Sequence, residues 1–175
     1  MQFRSGAVGD IPAIAAIERA SALRFLDIGM VEIANDDPTP DAVLLERIGQ
    51  DRLFVAVDAK PIAFVIFGLV DDQLYIEQID VDPEYTGKRI GAALIGLVEE
   101  RARKEGRQGL LLSTFRDVPW NAPYYRRLGF TDIVDAALSP ALLQIRQEHI
   151  ERGLDETRRV FMQKPLILDS AANQR

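Results

Sequence analysis

The residues with most capacity for chemistry are Thr86-Gly87-Lys88-Arg89-Ile90-Gly91, at the junction of a strand pattern and a helix pattern. A glycine turn that feeds a helix start is an anion site. The first backbone N–H groups of a helix have no intrahelical partner, and the macrodipole favours negative charge in front of them. Gly87 lets the backbone approach a phosphate closely, and Lys88 and Arg89 add formal positive charge beside it. The plain alternative is a loop that happens to hold two glycines. Neither nucleotide fingerprint fits, because Gly87-Lys88 is followed by Arg89 where the Walker pattern needs Ser or Thr, and the dinucleotide pattern needs a third glycine.

The elements that must hold this loop are legible around it. Tyr75 to Val81 carries the β-branched and aromatic residues of a strand, closed by Pro83. Ile90, Leu94, Leu97, Val98 and Ala102 form one helical stripe, with Glu99–Arg103 and Glu100–Lys104 pairs opposite and Gly106 as the stop. Upstream, the pattern predicts a first strand over Phe3–Val8 and a helix capped by Asp10, with Ile14, Ile17, Ser21 and Phe25 at helical spacing. Within it Glu18 and Arg24 are read as core-edge residues or as residues of a cleft. A second helix follows over Asp41–Gly49, then a hairpin of Arg52–Val57 and Ile62–Leu69, with Asp71-Asp72 as a solvated turn. Leu110–Thr114 reads as a central strand buried on both faces and reached by a right-handed crossover. Asn121 is a helix-cap residue type, Gly129 can end the short helix after it, and Tyr125 on that helix reads as a packed aromatic. Leu138–Gly153 reads as a last helix and Arg158–Gln163 as a last strand. His149 is taken as a surface residue, and Arg126-Arg127 and Arg158-Arg159 as solvated charges.

The loop and the strand ending Val81-Asp82-Pro83 resemble the pyrophosphate loop of the GNAT superfamily of acyl-CoA-dependent N-acetyltransferases. The segment with Asn121, then Tyr125 four residues before Gly129-Phe130, is similar to that family's next motif. Thr86 stands where Arg or Gln is usual, and Arg89 where the first motif glycine sits. The resemblance implies an α/β fold: a mixed, mostly antiparallel sheet with a splayed central parallel pair and flanking helices, in one domain over residues 1–175. It implies acetyl-CoA as cosubstrate, held by Ile79, Val81, Thr86, Gly87, Lys88, Arg89, Ile90, Gly91 and Asn121. A strand N–H near Ile79 would face the thioester oxygen.

It also implies two catalytic groups, Tyr125 and Glu77. An amine with a pKa of about 10.4 is almost wholly protonated at neutral pH, so direct transfer benefits from a base. Glu77 is the candidate, since strand alternation puts Glu77, Ile79 and Val81 on one face; a bulge would turn Gln78 or Asp80 inward instead. Tyr125 would hydrogen-bond and protonate the leaving thiolate, a transfer uphill by about 2 kcal/mol from the intrinsic values. Trp120 is read either as lining the acceptor entrance or as packing beneath the loop.

Composition bounds the rest. The chain has 175 residues, 47% hydrophobic and 27% charged, which suits one domain of ordinary globular composition. With no cysteine and one histidine, thiol catalysis is excluded and no metal is expected. A formal net charge of −6 argues against nucleic acid as a partner. No apolar run approaches a membrane span, and a cytoplasmic location is expected. Ser113, Thr114 and Ser139 have no histidine partner for a hydrolase triad. The expected activity is transfer of acetyl to a primary amine of a small molecule or peptide, with a homodimer possible. Its alternatives are a non-catalytic acyl-CoA-binding module and a nucleotide-phosphate enzyme that would lack its Lys-Ser/Thr.

Overall fold

A computed structural model describes residues 1–167; the last eight residues of the expected domain, 168–175, lie outside the described residues. The strands are β1 (Gln2–Ser5), β2 (Leu53–Asp58), β3 (Lys60–Val70), β4 (Gln73–Val81), β5 (Gly109–Phe115), β6 (Thr131–Asp132) and β7 (Arg159–Pro165). The helices are α1 (Ile11–Ala22), α2 (Val31–Ala34), α3 (Asp41–Gly49), α4 (Ile90–Lys104), α5 (Ala122–Arg127) and α6 (Pro140–Glu151). The sheet order is β1-β2-β3-β4-β5-β7-β6, and β4–β5 is its parallel pair. This is the mixed, mostly antiparallel α/β architecture expected. The chain divides into two compact units, Met1–Gly68 with Glu77–Leu97, and Leu69–Ile76 with the chain from Val98 onward.

In the first unit β1 and β2 pair antiparallel, with Phe3 opposite Ala56, and β2 pairs with β3, with Val55 opposite Phe64. Ile11, Ile14 and Ile17 of α1 and Leu44 of α3 pack against Leu53, Val55, Phe64 and Ile66. The i, i+3 spacing of the isoleucines is what lays α1 on that face. Asp10 differs from its expected role. Its side chain makes no cap bond to α1. The carboxylate accepts from the Ala7 N–H at 2.8 Å and from Arg4 at 2.7 and 2.9 Å, so it closes the preceding turn and pins β1. β1 ends at Ser5, short of Val8, and α1 gives way to a 3-10 segment, Leu23–Ile28, that carries Phe25.

In the second unit Leu74, Tyr75 and Ile76 stand opposite Leu110, Leu111 and Leu112, while β4 itself continues to Val81 and β5 to Phe115. β5 is buried along nearly its whole length and also pairs antiparallel with β7, Phe115 opposite Arg159. Tyr75, Leu111, Leu138, Leu142 and Phe161 form a hydrophobic cluster in this unit, with Leu142 supplied by α6. α6 begins at Pro140, later than the expected Leu138, because the Ser139 hydroxyl caps it by accepting from the Leu142 N–H at 3.2 Å.

Three expected surface groups turn out to be built into this unit. The His149 ring stacks on Phe161 with centroids 6.2 Å apart and bonds Glu156 at 2.7 Å. Arg159 lies over Phe115 and donates to the Ser113 carbonyl and hydroxyl at 3.2 Å. Glu99 pairs with Lys164 of β7 as well as with Arg103. Each has a charged neighbour in the sequence, Glu148, Arg158 and Glu100. Only the strand register shows that these polar groups meet each other over the sheet.

Candidate functional site

The loop after β4 is built by short-range chemistry. Asp82 accepts from the Glu84 N–H at 3.0 Å and shapes a 3-10 turn, Pro83–Tyr85. Thr86 is extended, then Gly87 and Arg89 both take left-handed backbone, φ +81° and +60°. Alternating left-handed residues turn successive N–H groups toward one side, the geometry of an anion-binding nest. Arg89 is the last residue before α4, and its carbonyl accepts from the Ala93 N–H at 3.1 Å. The N–H groups of Ile90, Gly91 and Ala92 therefore occupy the helix positions that have no intrahelical acceptor. Residues 86–89 are exposed, Ile90 is buried, and the Lys88 ammonium lies 4.5 Å from the Tyr85 ring centroid. Glycine at position 89 would adopt this backbone without strain; arginine holds it at a cost of about 1 kcal/mol.

Strand β4 supplies the second group. Arg47 of α3 donates to Glu77 from Nε at 2.9 Å and from Nη2 at 2.7 Å, so the carboxylate is gripped by a fork. Three residues on, Asp80 Oδ1 accepts from the Ser21 hydroxyl of α1 at 2.6 Å, and Oδ2 accepts from the Gln78 amide at 2.5 Å. α1 and α3 pack on the same sheet face. Residues three apart on a regular strand point to opposite faces, so β4 carries a bulge between Glu77 and Asp80. The hairpin register agrees. A two-residue turn at Asp71-Asp72 places Ile62 opposite Val81, yet the Ile62 carbonyl accepts from the Asp82 N–H at 2.8 Å, one residue further along. Of the two arrangements open in the sequence, the bulged one is present.

The Asp80 residue keeps partial exposure, but its carboxylate is packed among Ser21, Gln78, Glu18 and Arg24. Burial pushes its pKa up to about 7; the Ser21 and Gln78 hydrogen bonds pull it down, the Glu18 charge raises it and Arg24 lowers it. Glu18 is itself buried and raised by burial. Its oxygens accept from the Thr39 N–H at 2.9 Å and the Thr39 hydroxyl at 2.6 Å, which ties the loop before α3 to α1. Ile79 and Val81 are half-buried on β4.

In the second unit Asn121 precedes α5 without making a side-chain cap bond. Its amide donates to the buried Thr114 hydroxyl at 2.6 Å, leaving a buried carbonyl oxygen, Oδ1, with no hydrogen-bond donor among the described residues. Tyr125 is buried. Its ring meets Tyr124 edge-on at 5.5 Å and Phe130 at 5.8 Å, and its N–H donates to the Asn121 carbonyl at 3.0 Å. Gly129, φ +92°, ends the short helix as expected. Among the described residues no group of three or more His, Cys, Asp or Glu stands in position to hold a metal, and no helix is long and apolar enough to cross a membrane.

The model of the acetyltransferase (GNAT) family matches residues 21–130, a span that holds the loop, β4, Asn121 and Tyr125. The chain belongs to the GNAT acetyltransferase family. A protein of Methanocaldococcus jannaschii described as an uncharacterized N-acetyltransferase is 34% identical over 96 residues, 50% of this chain and 42% of its own length. The match thus spans under half of that curated relative. Among solved structures, the ribosomal-protein-S18-alanine N-acetyltransferase of Escherichia coli superposes with a TM-score of 0.64 at 20% identity, covering 99% of this chain and 98% of that one. The PaiA N-acetyltransferase of Thermoplasma acidophilum, in complex with coenzyme A, gives 0.65 at 16% identity over 94% and 98%. The N-acetylglutamate synthase of Neisseria gonorrhoeae gives 0.69 at 17% identity over 95% of this chain and 35% of that one. At these identities the superpositions establish the GNAT fold alone.

Within this GNAT chain, three participants in the first unit were not singled out from the sequence: Arg47, Ser21 and Thr39. Ser21 carried a signal, being a polar residue on the same helical stripe as Ile14 and Ile17. Arg47 and Thr39 carried none, because their partners lie far away along the chain. The loop also passes a chemical test as a phosphate holder. It offers amide donors at a helix start, two left-handed positions and two cations, with no acid among residues 86–91.

Proposed function

We propose that this chain, working as one N-acetyltransferase-like domain in the cytoplasm, moves an acetyl group from acetyl-CoA to a primary amine of a small molecule or peptide. The observation that carries the reading is the double left-handed loop at the start of α4, inside the segment matched by the family. The diphosphate accepts hydrogen bonds from the amides around Gly87 to Gly91, with Lys88, Arg89 and the Thr86 hydroxyl contributing at its edge. The pantetheine arm runs along the β4 backbone at Ile79 and Val81, and Asn121 offers its amide group to the same molecule. The amine nitrogen attacks the thioester carbon directly, a backbone N–H near Ile79 stabilises the oxyanion, and Tyr125 donates to the departing sulfur. A carboxylate of β4, for which Glu77 is the sequence's candidate, takes the amine's proton.

Calorimetric titration with acetyl-CoA tests the binding half: the expected result is saturable heat at micromolar to millimolar concentration, and no heat overturns the reading. Release of free CoA with a panel of amines, in the wild type and Tyr125→Phe, tests the catalytic half. The expected result is a lower kcat in Tyr125→Phe with acetyl-CoA affinity retained. A second reading, a non-catalytic acyl-CoA sensor, draws on one observation, that Arg47 occupies Glu77 with a two-pronged grip. Binding without turnover of any amine favours it.

A further inference from the structure

Taking the acetyl-transfer reading as its basis, we infer that Asp80, and not Glu77, is the group that accepts the amine's proton, with Ser21 of α1 as its positioning residue. Three observations carry this. Glu77 accepts three hydrogen bonds from Arg47 across both of its oxygens, at 2.7 to 3.1 Å, and so is tied to a fixed cation that links α3 to β4. Asp80 has been brought by the bulge onto the helix-covered face, and it is held there by one neutral donor on each oxygen, Ser21 and Gln78. Neutral donors leave the carboxylate able to take a proton, because a hydroxyl and an amide stay where they are when the charge disappears. The third is position: Asp80 lies one residue from Ile79 on the strand proposed to bear the thioester arm.

The proton balance closes. Asp80 takes one proton from the substrate ammonium and returns it to solvent. The free amine's lone pair then forms the C–N bond as the carbonyl π electrons move to oxygen. When they return, the C–S bond breaks and the thiolate takes a proton from Tyr125. The phenolate is reset by the second proton of the acylated nitrogen. The products are the amide, CoA thiol and one proton in solution, and no further reactant is required.

The charged and titratable groups that face Asp80 are Glu18 and Arg24 from α1 and the segment after it, with Ser21 and Gln78 as its direct partners. Asp80 acts only when ionised, so turnover has an acid limb. Removing the Ser21 hydroxyl takes away a bond that favours the carboxylate form, and moves that limb to higher pH.

The experiment is the pH profile of kcat by CoA release, with a free-amine tripeptide, spermidine and Nα-acetyl-lysine as acceptors. It compares the wild type with Asp80→Asn, Glu77→Gln and Ser21→Ala, each checked for folding by circular dichroism and for acetyl-CoA binding by calorimetry. Asp80→Asn is expected to lose about 100-fold or more in kcat, the size of a general-base contribution, and to lose the acid limb. Glu77→Gln is slower but keeps the limb, and Ser21→Ala keeps its plateau while the limb shifts upward. If Asp80→Asn retains the limb, or the Ser21→Ala limb stays where it was, the assignment is overturned while the acetyl-transfer reading stands. If Asp80→Asn does not fold, the Ser21→Ala shift alone decides. Wild-type protein that binds acetyl-CoA but turns over none of the acceptors overturns both.

Discussion

Arg47 holds Glu77 through Nε and Nη2 at 2.9 and 2.7 Å, and the two side chains are 18% and 23% exposed. The pair joins α3 to the middle of β4, upstream of the bulge that presents Asp80. Arg47→Ala leaves a half-buried carboxylate without its partner, and is expected to lower stability by about 2 kcal/mol, read from urea denaturation. Gly68 gives an independent route to the same contact, since a Cβ there lies 2.5 Å from Glu77 Oε1. Gly68→Ala must therefore push the carboxylate away. It is expected to add little to the loss in an Arg47→Ala background, and full additivity would show that the two changes act separately.

Asp80 makes a stability prediction that is independent of turnover. Its folded pKa, about 7, lies above the ordinary 3.8. The folded state therefore keeps its proton where the unfolded state has released it. The stability tied to the neutral carboxyl is complete below the ordinary value, declines as pH rises, and is gone above about 7. Between pH 5 and 8 the wild type is expected to lose about 3 kcal/mol through this group, at about 1.4 kcal/mol per pH unit. Asp80→Asn carries no such slope, and urea midpoints at the two pH values measure it directly.

The parts of this site that could be read in the sequence are those fixed by neighbours along the chain. Pro83 ends a strand, Gly87 opens a turn, and the Ile90–Leu94–Val98 stripe starts a helix; each is decided within a few residues. The mixed α/β class followed from the alternation of elements, and the mostly antiparallel sheet with its parallel pair from the resemblance that the two motifs carry. Parity along β4 could not be read, because a bulge is set by how both helices and the β3 partner fit. What the register adds is the partners: Arg47 meets Glu77, and Ser21 and Gln78 meet Asp80. His149 and Arg159 looked solvated because Phe161 and Phe115 meet them only once the strands are placed, while Glu156 reaches both from the turn before β7.

His149 provides a pH dependence of opposite sign. Burial lowers its pKa first and the Arg159 charge second, against a raising effect from Glu156; Arg152 lowers it further. The folded state holds the ring neutral, while the unfolded state takes up a proton below about 6.5. The group's contribution to stability is thus present above that value and is lost as pH falls toward the folded pKa. His149→Gln should flatten this acid-side loss. Because the Asp80 slope runs the other way in an overlapping range, the comparison belongs in an Asp80→Asn background, with urea midpoints at pH 7.5 and 5.5. An unchanged slope in the double variant would place the acid sensitivity elsewhere.

Arg89 joins a strained backbone to a useful charge. Its φ of +60° is left-handed, and the residue is exposed in the loop proposed to hold the diphosphate. The two roles separate in one substitution. Arg89→Gly relieves the backbone, with an expected gain of about 1 kcal/mol in urea denaturation. It also removes one cation, so acetyl-CoA should bind about tenfold more weakly, with a shallower dependence on salt. Arg89→Lys keeps a cation but not the planar fork, and should fall between wild type and glycine in affinity without the gain in stability. A glycine variant that is more stable and binds as tightly as wild type would mean that Arg89 adds only strain, and that the amides with Lys88 suffice for the phosphates.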